Sequence, residues 1–116
     1  MSELTLLHNP RCSKSRAARA LLEGRGVAFR ERRYLDDPLS RAELEALRRK
    51  LGRPAREWAR RAEPAWSEAG LGDEASDDAI LDAMARHPIL IERPILVARE
   101  RAVVGRPVEA LEALLP

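Results

Sequence analysis

The feature that most limits what this chain can fold into is an abrupt change of pattern near its start. Residues 4–7 form a short apolar run that reads as a buried strand, and His8-Asn9-Pro10-Arg11-Cys12 breaks it. Residues 13–22, rich in alanine and leucine, then take up a helical composition, with Gly24 and Gly26 as stop signals. Strand and helix thus alternate from the outset, which points to an α/β architecture. The chain's one cysteine, Cys12, stands where the strand hands over to the helix.

Further along, residues 27–35 read as a second, weaker strand with charges on both faces, suited to a sheet edge. Ser40-Arg41-Ala42-Glu43 is a capping box, and Leu39 with Leu44 has the spacing of a hydrophobic staple. A helix is expected there, with Leu44, Leu47 and Leu51 on one face. Pro54 opens a short helix through Trp58 to Arg61. Ser76-Asp77-Asp78 starts a third, with Ile80, Leu81 and Met84 inward, which Pro88 ends. Residues 95–98 and 102–104 flank a tight polar turn as a hairpin, and Pro107 opens a last helix carrying Val108, Leu111, Leu114 and Leu115. The order βαβ, three helices, ββα is that of a thioredoxin-like domain. Its N-terminal βαβ and C-terminal ββα units share one mixed sheet, with a helical insertion between them.

At 116 residues one domain, residues 1–116, is expected. A net charge of +2 gives no large field for nucleic acid or a membrane surface. The basic clusters at Arg30 to Arg33 and Arg48 to Lys50 lack aromatic platforms and are offset by neighbouring acids, so nucleic-acid binding is not expected. No apolar stretch is long enough to span a membrane, and the first residues lack the basic and apolar segments of a secretory signal, so a cytoplasmic protein is expected, and it is taken as a monomer. A single cysteine cannot close an internal disulfide, and any redox cycle must borrow a second sulfur. One Cys and two distant His residues have no metal-ligand spacing, and His87, at a helix end, is assigned no chemistry.

A lone cysteine is most often a buried filler, but the position of Cys12 argues otherwise. At a helix start its sulfur meets unpaired backbone N–H groups and the positive end of the helix dipole, both of which favour thiolate, and Arg11, Lys14 and Arg16 add positive charge. The same helix end can seat a tetrahedral oxyanion. His8 has two readings. As an imidazolium it would depress the thiol pKa further; otherwise it is a strand-end histidine satisfied by backbone.

Several separate motifs then stand out: His8-Asn9-Pro10-Arg11-Cys12-Ser13-Lys14-Ser15-Arg16, Trp58-Ala59-Arg60, Glu63-Pro64, the run from His87 to Pro94, and Gly105-Arg106-Pro107. Together they resemble the glutaredoxin-coupled arsenate reductase (ArsC-type) family over nearly the whole chain. The resemblance implies that Cys12 attacks arsenate, with His8 beside it, while Arg60, Arg93 and Arg106 hold the oxyanion and Asn9, Ser15, Arg16 and Pro94 support the site. It also implies a cis Arg93–Pro94 peptide, no tightly bound cofactor, glutathione as co-substrate and glutaredoxin as the protein that clears the mixed disulfide. Arginine suits the oxyanion role because its planar fork gives two parallel hydrogen bonds and keeps its charge.

The residues flanking the thiol, Arg11, Ser13 and Lys14, depart from the small neutral ones of some resistance enzymes of that family, as in a related branch of it. The alternative is an Spx-type redox regulator that binds RNA polymerase without catalysis. Cys12-Ser13-Lys14-Ser15 has only half of the C-x-x-C pair such a switch uses, and the three retained arginines favour an oxyanion enzyme.

Overall fold

Strand β1 (Thr5–Leu7) is the pivot of the sheet in the computed structural model, which describes residues 3–115. Its Leu6 and Leu7 point to opposite faces and both are buried, so neither face of this strand meets solvent. Strand β2 (Arg30–Arg32) pairs with it in parallel, and helix α1 (Ser13–Gly24) is the crossover that parallel pairing demands. On the other flank β3 (Ile95–Val97) pairs antiparallel with β1, and β4 (Ala102–Val104) closes a hairpin on β3. The order β2-β1-β3-β4 makes a mixed α/β sheet of the thioredoxin-like class that the element order indicated.

Two compact units are present, one formed by Met1–Asp37 and Arg93–Pro116, the other by Pro38–Glu92. In the first, Leu4, Leu6, Ala18, Leu22, Leu96 and Leu111 form a buried cluster, with Val27, Phe29 and Val103 packed against it. The stripe of α1 that faces this cluster is what fixes the helix over the sheet.

Two elements of this unit differ from the sequence expectation. The second strand shrinks from residues 27–35 to Arg30–Arg32, because its partner β1 is only three residues long and a ladder cannot outrun its partner. The last helix is a 3-10 helix, Val108–Leu114, not an α-helix. Val108, Leu111 and Leu114 recur every third residue, the repeat of a 3-10 helix, and all three contact the same cluster.

The second unit is the helical insertion. Helix α2 (Arg41–Leu51) carries the full capping box: the Glu43 N–H donates to Ser40 Oγ at 3.1 Å and the Ser40 N–H donates to Glu43 Oε1 at 2.9 Å. It ends on Gly52 at φ 65°, a left-handed position that glycine takes at no steric cost. Helix α3 (Pro64–Glu68), which pattern reading missed, starts on its proline. Helix α4 (Asp77–Arg86) is capped by Ser76, and Arg41 ties α2 to it through Asp78 at 2.9 Å and Asp82 at 2.7 Å. The helix expected over residues 54–61 is a single 3-10 turn, Ala55–Trp58, because the chain then leaves to pair Ala59 with Ile91. A second 3-10 turn, Pro88–Leu90, follows α4.

Gly105 is the described glycine at which a side chain would meet neighbours. Its N–H donates to the Pro94 carbonyl at 2.8 Å, and a Cβ there would lie 2.9 Å from Pro94 Cγ and 3.1 Å from the Leu111 side chain. Gly105→Ala is therefore expected to cost about 1–3 kcal/mol by overpacking, read as a lower denaturation midpoint with an unchanged m-value.

Candidate active site

The loop between β1 and α1 is held by its own polar groups. Asn9 Oδ1 accepts the Arg11 N–H at 3.0 Å, an Asx turn, and the Asn9 carbonyl accepts the Cys12 N–H at 3.0 Å. Arg16 reaches back to donate from Nη1 to the Pro10 carbonyl at 2.9 Å. Ser15, fully buried on the first turn of α1, accepts the Asn9 N–H at 3.0 Å and lies 2.8 Å from His8 Nδ1. Asn9, Ser15 and Arg16 thus fasten the segment that presents Cys12.

Cys12 is the N-cap of α1, half-buried, with extended backbone angles. Burial is the largest single influence on its thiol and opposes ionisation. The backbone N–H groups of Ser15 and Lys14 outweigh it, together with a hydrogen bond and the charge of the Arg93 guanidinium, and the net effect is a pKa below the ordinary thiol value. The N–H groups act here as facing dipoles, since the sulfur makes no regular capping hydrogen bond. Of the arginines expected near the thiol, Arg93 contributes to this lowering.

Arg93 arrives at the start of β3, and Arg106 donates from Nε to the Arg93 carbonyl at 2.9 Å. The hairpin therefore brings Arg93, Pro94 and Arg106 together on the thiol's side of the sheet unit. Pro94 is buried, and the Arg93–Pro94 peptide is cis, as is Arg106–Pro107. Arg60 lies in the helical unit. There its N–H donates to the Leu90 carbonyl at 2.7 Å, and its guanidinium pairs with Glu63 at 3.1 Å and lies 3.5 Å from the Ile89 carbonyl.

His8 does not match the imidazolium reading. Its side chain is almost wholly buried, at 1% exposure, and burial lowers its pKa, with nearby arginines adding to the effect and Glu31 opposing it. Near neutrality it is an uncharged imidazole paired with a hydroxyl. Sequence had offered backbone as its alternative partner; the partner is instead Ser15, whose place three residues into α1, facing back toward the strand end, was the available signal.

Two cavities flank the loop. One, of about 240 Å³, is lined by His8, Asn9, Pro10, Arg11, Arg33, Leu35 and Asp36. The other, of about 370 Å³, lies between the start of α1 and residues 105–109. Among the described residues no cluster of His, Cys, Asp and Glu could hold a metal ion, and no helix is long and apolar enough to cross a membrane.

A cysteine at a helix start, its thiol pKa lowered with the help of Arg93, on a thioredoxin-like sheet defines the class as a thioredoxin-fold protein with a thiolate-favouring cysteine. Comparison with known proteins narrows this. The ArsC family matches residues 7–114, and the chain belongs to that family. The arsenate reductase of Neisseria meningitidis serogroup A is 49% identical over 117 aligned residues, covering 99% of this chain and 100% of that protein. An arsenate reductase of Escherichia coli is 37% identical, covering 100% of this chain and 83% of its own. The solved structure of an arsenate reductase from Vibrio cholerae matches with a TM-score of 0.89 at 44% identity, over 97% of this chain and 98% of that one.

Titration of the thiolate by ultraviolet absorbance is expected to place the Cys12 midpoint below that of an ordinary thiol, and Arg93→Ala should raise it. An unmoved midpoint in that variant would remove Arg93 from the ionisation of the sulfur. For His8, the unfolded chain takes up a proton near pH 6.5 while the folded chain resists it. Stability should therefore fall as pH drops below about 6.5, and His8→Gln should flatten that part of the urea-unfolding profile relative to the parent.

Proposed function

We propose that the protein is an arsenate reductase that works in the cytoplasm through a covalent Cys12 adduct, with glutathione as co-substrate and glutaredoxin as the protein that resets it. The observation that carries this reading is Cys12 at the N-cap of α1, its thiol pKa lowered by the backbone N–H groups of Ser15 and Lys14 and by the Arg93 guanidinium against the opposing effect of burial. The family's named arsenate reductases support the substrate.

Cys12 thiolate attacks arsenic(V); an S–As bond forms, an As–O bond breaks and the oxygen leaves as water or hydroxide. The arginines offset charge on the remaining oxygens, Arg93 and Arg106 from the hairpin and Arg60 as the third arginine of the family motif. Glutathione thiolate next attacks the Cys12 sulfur. As the S–S bond forms, the S–As electron pair stays with arsenic, which departs as arsenite. Two electrons have then moved from two sulfurs to one arsenic. With one cysteine in the chain, the Cys12–glutathione disulfide is resolved from outside, and glutaredoxin supplies that exchange. Asn9, Ser15 and Arg16 keep the attacking sulfur in place, and neutral His8 anchors Ser15 rather than charging the thiol.

Cys12→Ser is expected to abolish arsenate reduction in a coupled assay with glutathione, glutaredoxin and NADPH while leaving the circular dichroism spectrum unchanged. Arg60→Ala, Arg93→Ala and Arg106→Ala should each lower kcat/KM for arsenate by about 10- to 100-fold, the cost of losing one charge-assisted bond. Full activity in Cys12→Ser, or unchanged kinetics in all three arginine variants, would overturn the assignment.

A further inference from the structure

The larger cavity beside the loop shares Arg106 with the arsenate reading but carries two charged side chains, Lys14 and Glu109, that this reading does not use. Its walls are apolar, from Ala17 on α1 and Pro107 and Val108 on the facing segment, and it carries two opposite charges, Lys14 and Glu109, with Arg106 on its rim. Both Lys14 and Glu109 are exposed, and neither side chain has an ion-pair or hydrogen-bond partner among the described residues. Other charged side chains of this unit are paired: Arg19 with Glu23 and Glu31, Arg25 with Glu112, Arg32 with Asp37 and Arg33 with Glu31. A cation and an anion left open on one cavity match a ligand that carries a carboxylate and an ammonium together.

Two of the residues that line the cavity are linked to the thiol's surroundings. Lys14 follows Cys12 by two residues, and Arg106 is bonded to the carbonyl of Arg93, whose guanidinium contributes to lowering the thiol pKa. At about 370 Å³ it lies within the range of about 300–1,000 Å³ usual for small-molecule sites. The cavity at Arg11 and Arg33 is smaller, about 240 Å³, and Arg33 is already held by Glu31 at 3.2 Å.

We propose that the cavity between the start of α1 and residues 105–109 seats the α-amino-acid end of the thiol co-substrate, the γ-glutamyl group of glutathione, with Lys14 on its carboxylate and Glu109 on its ammonium. This deepens the reading of glutathione as reductant and rests on it. The apolar walls carry the intervening methylenes, and the thiol end is left to meet Cys12. Charge at two points, not the thiol alone, is what selects this reductant over a simple uncharged thiol.

The test reads Cys12 disulfide exchange without arsenate, so that the cavity and the arsenate reaction can fail separately. Cys12 thiolate attacks oxidised glutathione, forming the Cys12–glutathione disulfide and releasing one glutathione thiolate, and mass spectrometry follows the adduct on the full chain. The same reaction with the uncharged 2-hydroxyethyl disulfide reports the thiol's own reactivity. Lys14→Gln and Glu109→Gln are each expected to slow exchange with oxidised glutathione by about 5- to 30-fold relative to the uncharged disulfide, the cost of one exposed charged contact. The exchanged pair Lys14→Glu with Glu109→Lys should recover at least part of the preference. Equal slowing with both disulfides would show Lys14 acting only on thiol ionisation and would overturn the proposal. So would no slowing, or selective slowing by Arg11→Gln instead. Preference for oxidised glutathione in a wild-type chain that does not reduce arsenate would leave this cavity assigned and remove the arsenate reading.

Discussion

The sulfur of Cys12 is half withdrawn from water, and withdrawal alone favours the neutral thiol. The amide groups opening α1 and the guanidinium of Arg93 reverse that preference, and much of the sheet unit can be understood as what holds them there. Ala18 and Leu22 pin α1 to the sheet, so the helix dipole keeps its aim. The antiparallel pairing of β1 with β3 carries Arg93 across a long gap in sequence to the same sulfur. Lose either, and the thiol reverts to the reactivity of any partly buried cysteine.

Elements that rest on local chemistry were legible in the sequence. The capping box at Ser40 and Glu43 is a contact between residues three apart, and it forms as read. The hairpin at residues 95–104 and the crossover helix after Cys12 follow the same logic. Lengths and subtypes were less legible, because tertiary partners set them. The second strand is as short as the strand it pairs with. The last helix contains good α-formers, yet it is a 3-10 helix in which Val108, Leu111 and Leu114, three residues apart, stack against one cluster.

The site divides in the same way. The helix-start position of Cys12 is a local fact, and reading it as thiolate-favouring needed only the order of strand, loop and helix. That Arg93, among 19 arginines, acts on the sulfur came from family resemblance rather than from spacing, since no local pattern links residues so far apart. The charge on His8 was not legible at all. It depends on burial, which the neighbouring residues in sequence do not determine, and the structure makes this histidine a neutral anchor for Ser15.

The Arg106–Arg93 bond gives the hairpin two unlike ends. At one, side chain and main chain lock two guanidinium-bearing positions together; at the other, Arg99, Glu100 and Arg101 form an exposed polar turn. Residues added at that turn lengthen the hairpin away from the lock, so the spacing of the two arginines is insulated from changes in loop length. The turn is thus a place where peptide tags or affinity handles could be grafted, and where divergent homologues would be free to differ without touching the chemistry.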